Sequence, residues 1–222
     1  MATIKVVDDG LDRASRLLQD TGNIRYSNAE LLKFFNDAQR EVVLHRPDAN
    51  TVNSNFTCAA GSKQTLSSSD LRLVDVVRNV SGRVVTQVDR ALLDNTLPDW
   101  HNSVADATKK IEHFMYDSGD PKHFYVYPAA LNTFQLEIVT SRAPSDIAVS
   151  DFTTDTQTIG LDDIYANAIL DYVLYRAYQK DSEFAGSAAQ AQMHFQSFAN
   201  SLGIKTRADA ATDPRPNMRP AA

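Results

Sequence analysis

The sequence predicts an α+β protein that is mainly helical, with four long helices, a β-rich insertion in the middle and an extended C-terminal arm. Three observations support this fold class. Apolar residues recur at helical spacing near both ends of the chain. Between them lie alternating and valine-rich segments, which are typical of strands. The last segment combines three prolines with almost no large apolar side chains, so it cannot form a core of its own.

The N-terminal part predicts a helical hairpin over residues 4–46. In the first helix, apolar residues spaced four, three and four apart share one face, and Gly22 is a suitable stop. The second helix begins with a capping box in which Ser27 and Glu30 each satisfy a free amide group. Because Pro47 disfavours helical geometry at the residue before it, this helix is expected to end near His45.

The middle of the chain, residues 55–159, predicts a β-rich insertion. The candidate strands share alternating or β-branched residues and lie at 55–59, 63–66, 73–80, 83–88, 123–127 and 133–141. The first two segments could equally form an ordered loop. The two valine-rich segments flank Ser81 and Gly82 and are expected to form a hairpin. The last two are expected to pair with each other.

A short helix is predicted between the valine-rich strands and the later strands. It runs from Asp89 to Leu97 and is followed by Pro98. Trp100 then lies in a polar segment, where we expect its ring to seal one edge of the core.

Residues 162–203 predict a second pair of long helices. The third helix begins with Asp162 as its N-cap, continues through Tyr178 and is apolar over most of its circumference. Such a helix must be covered on several sides, by its own bundle, by a neighbouring subunit or by both. The fourth helix has apolar residues at regular helical spacing, which predict a buried stripe, and Gly203 predicts its end. The stripe consists of Phe184, Ala188, Ala191, Phe195, Phe198 and Leu202.

Composition and charge exclude several classes of protein. The formal net charge of −6 argues against a surface that grips nucleic acid throughout. Cys58 is the only cysteine, which excludes an intrachain disulfide and a four-thiolate zinc site. Acidic residues near the N-terminus and the lack of a run of 18 apolar residues favour a chain made in the cytoplasm, with no membrane segment.

Two clusters could suggest chemistry, and both have simpler interpretations. His113, Asp117, Asp120 and His123 could bind a divalent metal, but the Ser-Gly-Asp-Pro segment among them is typical of a turn. The adjacent carboxylates at 162–163 are better explained by helix capping than by acid–base catalysis. No nucleophile elbow, P-loop or dinucleotide motif occurs. We therefore expect no catalytic residue, no cofactor and no metal.

Two alternative functions remain open at this point. A DNA-packaging or regulatory DNA-binding protein is one, because Gly22 to Arg25 between two helices could form a helix-turn-helix. Its second helix, however, opens without the arginines that contact bases and phosphates. A lytic, glycan-cleaving enzyme is the other, and it would need a pair of carboxylates in a cleft.

Four segments resemble bacteriophage head-to-tail adaptor (connector) proteins of podovirus-type and related tailed phages. They are residues 31–41, 45–49, 124–128 and 171–181. The last is the most specific, because it closes the third helix with Tyr-Arg-Ala-Tyr followed by Lys-Asp. The order of elements is similar along nearly the whole chain. These are packing motifs, so they indicate a family rather than a reaction.

The resemblance implies a single adaptor domain, a helical bundle with the β-rich insertion, over residues 1–204. Residues 205–222 would be an extended arm that docks on the portal protein. The predicted docking residues are Arg215, Met218, Arg219 and Pro220. The arm's four basic and two acidic side chains give it a net charge of +2, opposite in sign to that of the whole chain.

The resemblance also implies an assembly at the portal vertex of the virion, between head and tail. The chain would form a closed ring of about twelve copies, which requires two different faces on each copy. The predicted subunit contacts are four tyrosines of the third helix, Tyr165, Tyr172, Tyr175 and Tyr178. The tail-side partner would be a tail nozzle or tail tube protein. Genomic DNA would pass through the ring without specific binding.

Overall fold

The computed structural model describes residues 2–102, 109–180 and 185–212. These residues form two compact units: a helical unit from the Met1–Ala49 and Pro144–Ala222 parts of the chain, and a β unit from Asn50–Ala143. Within the described residues the helices are α1 (Asp12–Leu17), α2 (Asn28–His45), α3 (Arg90–Thr96), α4 (Ala166–Lys180) and α5 (Ala185–Thr212).

The prediction of a mainly helical protein with four long helices is wrong. The described residues form five helices and two sheets, so the fold is mixed α+β. Two of the helices have only six and seven residues. The middle of the chain is not an elaboration of a bundle, because it closes into two sheets with a core of their own.

The first predicted helix is shorter and less regular than its apolar stripe indicates. Residues Val6–Leu11 form a π-helical turn that continues into α1. The chain then leaves the helix through Gln19, which has a positive φ of 57°. The predicted stop at Gly22 is wrong because Gln19 takes the left-handed conformation that usually ends a helix, three residues earlier.

Helix α2 begins and ends where the sequence predicts. The Ser27 hydroxyl accepts a hydrogen bond from the backbone N–H of Glu30 (3.3 Å), which caps the first turn. The Glu30 carboxylate does not complete the capping box. It accepts a hydrogen bond from Nζ of Lys180 at the end of α4 (2.7 Å), and so joins two helices that are distant in sequence.

Helices α4 and α5 are the longest neighbouring pair in the helical unit. A 3₁₀ turn at Asp163–Tyr165 leads into α4, in agreement with the predicted start. Helix α5 continues through Gly203 to Thr212, so the predicted stop at Gly203 and the extended conformation predicted for 205–212 are wrong. The alanine-rich residues that follow Gly203 have a high helix propensity, and they outweigh a single glycine.

The core of the helical unit depends on one close approach between the π-helical turn and α2. A Cβ on Gly10 would lie 2.8 Å from Cε2 of Phe35, so only glycine leaves room for that buried ring. The other fully buried side chains of this core come from the π-helical turn, α1, α2, α4 and α5, and include Leu11, Leu31, Val42, Ile169, Ala177 and Phe198.

The β unit contains all seven described strands in two sheets. The strands are β1 (Thr51–Thr57), β2 (Gly61–Thr65), β3 (Asp70–Asn79), β4 (Thr86–Gln87), β5 (His113–Tyr116), β6 (His123–Ala130) and β7 (Gln135–Arg142). One sheet has the order β1-β7-β3 and is antiparallel. The other has the order β2-β6-β5-β4, and its last pair is parallel. Apolar residues of both sheets share one core.

One predicted strand pairing is shorter than expected and another is wrong. The hairpin at Ser81–Gly82 forms, with Gly82 at φ 133° and an antiparallel bridge between Arg78 and Val84. It ends after the hydrogen bond from the N–H of Val85 to the carbonyl of Val77 (3.4 Å), and the chain moves to the second sheet as β4. Strands β6 and β7 do not pair with each other, because each is already paired on both of its sides within a different sheet. The segments 51–57 and 61–65 are strands rather than a loop.

The short helix and the tryptophan lie as predicted. The Asp89 carboxylate caps α3 by accepting a hydrogen bond from the N–H of Ala91 (2.9 Å). Trp100 is buried, and its indole N–H donates to the Asp94 carboxylate (2.8 Å). The ring packs with Leu93 and with residues of the second sheet. Within the described residues, no helix combines the length and apolarity needed to cross a membrane.

Candidate functional site

The predicted contact tyrosines lie on α4 and in the turn before it, and the three rings on α4 pack against α5. The Tyr172 ring lies 5.3 Å from that of Phe198, and the Tyr175 ring lies 5.1 Å from that of Phe195. Tyr178 stacks on His194 with the two rings nearly parallel. Much of the apolar surface of α4 is therefore covered within the same chain.

The four tyrosines differ in how much surface they leave accessible. Tyr165 is only 4% exposed and lies in the core of the helical unit. Tyr172, Tyr175 and Tyr178 are half-buried. Burial raises the pKa of the Tyr172 hydroxyl, and the nearby Glu41 carboxylate adds to that effect. The three half-buried side chains are the ones that a second protein could contact.

A polar network fixes α4 against α5 beside these rings. The Asp171 carboxylate lies 3.0 Å from Nδ1 of His194 and accepts a hydrogen bond from the Ser197 hydroxyl (2.8 Å). The order of contacts is not that of a catalytic triad, because the serine donates to the carboxylate and not to the imidazole. The network orients the two helices.

Helix α5 also exposes two large apolar side chains. One was predicted to be buried, and no prediction was made for the other. Phe195 was predicted as part of the stripe, yet it is 39% exposed, and its neighbour Met193 is 54% exposed. The lack of Asp, Glu, Lys and Arg between Ala185 and Ile204 was the available signal, because a helix that needs cover on only one side usually carries charges on the other.

The predicted docking residues follow α5 in the sequence. Leu202 is buried, and the helix continues from there to Thr212, about 15 Å further along its axis. The residues Arg215, Met218, Arg219 and Pro220 lie outside the described residues. Within the described part of this segment, Arg207 is basic and exposed.

The carboxylates at 162–163 have separate structural roles. Asp162 occupies the N-cap position, where its carbonyl accepts from the N–H of Tyr165 (3.0 Å) and its side chain makes no capping bond. The Asp163 carboxylate accepts hydrogen bonds from the hydroxyl of Thr3 (2.6 Å) and from the N–H of Ile4 (3.1 Å). Hydrogen bonds from Thr3 hold the pKa of Asp163 below its usual value.

The histidine and aspartate cluster follows the turn interpretation. The Asp117 carboxylate accepts from the N–H of Gly119 (2.8 Å), and Asp120 lies 2.7 Å from Nδ1 of His123. His113 instead contacts Thr86 in β4. Among the described residues, no three His, Cys, Asp or Glu side chains come together as metal ligands would.

The connection between α1 and α2 is organised by an acidic side chain. The Asp20 carboxylate accepts hydrogen bonds from the N–H groups of Ile24, Arg25 and Tyr26, at 3.0, 2.8 and 2.8 Å. The Tyr26 amide contributes most to lowering the pKa of Asp20. A negative charge at this turn disfavours the approach of DNA phosphates, so the connection is a poor candidate for a helix-turn-helix.

The buried thiol is not a candidate nucleophile. Cys58 is 3% exposed at the end of β1, and burial raises its pKa to about 12. The thiolate, which is the reactive form, is therefore almost absent at neutral pH.

The family model of the SU10 adaptor protein matches residues 7–220. The chain belongs to the SU10 adaptor protein family. The resemblance to phage adaptor proteins that the four sequence segments indicated is confirmed. A comparison with curated proteins finds no match.

Family membership gives the surfaces of this adaptor protein a general role. It is a phage adaptor, which implies a structural protein of the virion that associates with portal and tail components. A structural adaptor needs contact surfaces rather than an active site.

Proposed function

We propose that this adaptor protein forms a closed ring of about twelve copies that joins the portal to a tail nozzle or tail tube protein. The observation that carries the proposal is the extent of the family match. It reaches residue 220 and so includes all four predicted docking residues. The proposed ring has no catalytic activity and lies at the portal vertex of a virion whose proteins are made in the host cytoplasm.

The long helix α5 supports a docking arm at the C-terminus. It runs ten residues past the buried Leu202 to Thr212, and Arg207 on this stretch is exposed. Arg215 and Arg219 then supply positive charge, while the prolines of the segment reduce the entropy lost on docking. The portal surface that receives the arm is expected to be acidic with an apolar pocket for Met218.

The ring contact is proposed to use the exposed side of the α4–α5 pair. Tyr172, Tyr175 and Tyr178 retain accessible surface, and the exposed Met193 adds an apolar side chain on α5. Aromatic residues and methionine are enriched in protein interfaces. Tyr165 contributes indirectly, because it packs in the core at the start of α4.

Genomic DNA is proposed to pass through the ring without specific binding. The chain has a net charge of −6, and a ring of such subunits repels the phosphate backbone unless basic residues line the channel. A salt-dependent gel shift tests this directly. Tight binding at physiological salt would instead favour the DNA-packaging or regulatory DNA-binding alternative.

The docking arm is tested with charge reversals and purified portal protein. Arg215→Glu with Arg219→Glu is expected to abolish co-sedimentation with the portal. The matched control is Arg16→Glu with Lys33→Glu, which changes the net charge equally at exposed positions of α1 and α2. Equal binding by both variants contradicts the arm. Cryo-electron microscopy of virions then tests the ring, and absence of the chain between portal and tail would refute the proposed function.

A further inference from the structure

The edge strands of the two sheets differ in their protection against pairing with another chain. Strand β4 has only two residues, and β2 has a bulge after Gly61 and carries Lys63. Strand β3 has three register shifts and several charged side chains. Short length, bulges and charges are the features by which natural sheets prevent edge-to-edge association. Strand β1 has none of them: it has seven residues, no charge and an unbroken register with β7.

The outer edge of β1 presents a regular row of backbone groups. Beyond the end of β1, the N–H of Cys58 donates to the carbonyl of Phe134 (2.9 Å), which continues the register with β7. In an antiparallel pair, such inward-facing residues alternate with residues whose N–H and C=O point away. The outward residues are therefore Thr51, Asn53, Asn55 and Thr57. Within the described parts of the chain, no other strand pairs with this edge.

The sequence of β1 reads nearly the same in both directions. It is Thr-Val-Asn-Ser-Asn-Phe-Thr, with Ser54 at the centre. If the strand meets a second copy of itself in antiparallel orientation about Ser54, Thr51 lies opposite Thr57 and Asn53 lies opposite Asn55. Val52 lies opposite Phe56, a pairing of β-branched and aromatic side chains that stabilises sheets.

The direction in which the backbone N–H and C=O groups of β1 point fits the same register. The residues that face outward are the ones this register places opposite each other, so every outward N–H meets an outward C=O. The pairing would form about eight hydrogen bonds across the two-fold axis. Ser54 would face its counterpart as a pair without hydrogen bonds, with the two Cα atoms about 4.5 Å apart. A register shifted by one residue would lose this match.

We propose that β1 pairs with β1 of a second copy of this chain, so that two three-stranded sheets join into one sheet of six strands. The charges within the same sheet do not oppose it at Asn55, because Glu137, which lies opposite Asn55 on β7, forms an ion pair with Arg78 on β3 (2.6 Å). The chain's own C-terminal segment is a poorer occupant of the edge, since Pro214, Pro216 and Pro220 lack the N–H groups that the edge requires.

The β1–β1 pairing forms between subunits that have not yet assembled into a ring. A two-fold contact uses the same surface on both copies, whereas neighbours in a closed ring use two different surfaces. In an adaptor ring all copies point the same way, so two neighbours cannot be related by a two-fold axis. The dimer is thus a form of the free protein that must separate before assembly. This consequence rests on the proposed function, but the dimer itself does not.

Cysteine crosslinking in the purified full-length chain tests the register. Ser54→Cys is expected to form a disulfide-linked dimer under mild oxidation, because Cα atoms about 4.5 Å apart lie within disulfide range. The matched control is Asn53→Cys, whose two copies would lie about 8 Å apart and beyond that range. The native Cys58 is buried and provides the background. Equal crosslinking of both variants, or none of Ser54→Cys, would overturn the proposal.

A pair of charge variants tests the dimer without new cysteines. Asn53→Lys with Asn55→Lys places lysine opposite lysine across the axis, and sedimentation velocity is expected to show only monomer. Asn53→Lys with Asn55→Glu places lysine opposite glutamate and is expected to restore the dimer. A wild-type chain that stays monomeric at all concentrations, or a double-lysine variant that dimerises like wild type, contradicts the pairing. Neither result bears on portal binding, which is measured separately.

Discussion

Each of the two units of this adaptor protein is stabilised internally by a different kind of contact. The β unit is one continuous segment, and its ends lie side by side: Thr51 pairs with Ser141, and the Asn50 side chain donates to the carbonyl of Arg142 (2.8 Å). The helical unit is assembled from two parts of the chain that the β unit separates. Because the ends of the β unit meet, it can interrupt the helical unit at little cost in loop-closure entropy, which rises only with the logarithm of loop length.

Specific polar contacts join the two parts of the helical unit. The side chain of Asn36 in α2 both donates to and accepts from the backbone of Ile147, at 2.9 and 3.0 Å. The buried Gln39 accepts a hydrogen bond from the N–H of Gly160 (2.8 Å). These contacts join residues more than 100 positions apart in the sequence. The helical unit therefore depends on long-range side-chain hydrogen bonds, whereas the β unit depends on backbone hydrogen bonds between strands.

The largest expected effects come from removing one aromatic ring from each core. Phe124→Ala in the β unit and Phe198→Ala in the helical unit should each lower the free energy of unfolding by about 3–5 kcal/mol. Trp100, the only tryptophan, reports on the β unit through its fluorescence, and far-ultraviolet circular dichroism reports mainly on the helices. If each variant shifts both signals equally, the two units unfold as one.

A buried carboxylate is expected to make the β unit sensitive to acid. Asp70 accepts hydrogen bonds from Arg142, Thr140 and Ser67. Burial alone would raise its pKa, but these hydrogen bonds outweigh burial and hold the pKa below the usual value. The ionised Asp70 carboxylate therefore stabilises the folded protein fully at pH values above the pKa that Asp70 has in the unfolded chain. This stabilisation is lost as the pH falls through the lower pKa that Asp70 has in the folded protein.

Asp70→Asn tests that contribution by urea unfolding at two pH values. At neutral pH the variant should lose about 2 kcal/mol, because the Arg142 charge loses its partner. Below about pH 4 the difference from wild type should shrink. Asp75→Asn on the same strand is the control. A difference that stays constant with pH would show that the ionised carboxylate is not what stabilises the sheet.

Two glycines of the helical unit are expected to respond with opposite signs. Gly10→Ala should cost about 1–3 kcal/mol, because the added Cβ meets the Phe35 ring. Gly203→Ala should stabilise α5 by up to about 1 kcal/mol, because the position is helical and nothing lies within 4 Å of the added atom. Thermal unfolding of both variants checks this. Destabilisation by Gly203→Ala would contradict a continuous helix there.

The smallest effect is expected for the ion pair between α2 and α4. Lys180 and Glu30 are partly exposed, so their coupling in a double-mutant cycle should be about 0.5 kcal/mol. Replacing each by alanine, singly and together, isolates the coupling between the two charges from the contacts that Lys180 makes with Arg25 and Tyr26. The coupling should disappear in about 1 M salt, where screening is nearly complete. A coupling that persists there would indicate a buried contact.

Local signals in the sequence located most helices and few of the strand pairings. The cap at Ser27 and the prolines at 47 and 98 act within a few residues of themselves, so α2 and α3 could be placed in advance. Gln19 gave no such signal, because a non-glycine residue in the left-handed conformation is rarely predictable. The tyrosines were located on the right helix, but their intrachain partners on α5 could not be foreseen.

The sequence by itself determined the family, the bounds of α2, the starts of α3 and α4 and the approximate positions of most strands. These features follow from periodicity, caps and turns, which are local properties of the chain. Only the tertiary structure decided that β6 and β7 enter different sheets, that Glu30 reaches Lys180 instead of its own cap, and that β1 is left as an open edge. Each of these depends on which distant segments compete for the same hydrogen-bonding groups, and spacing along the chain does not encode that competition.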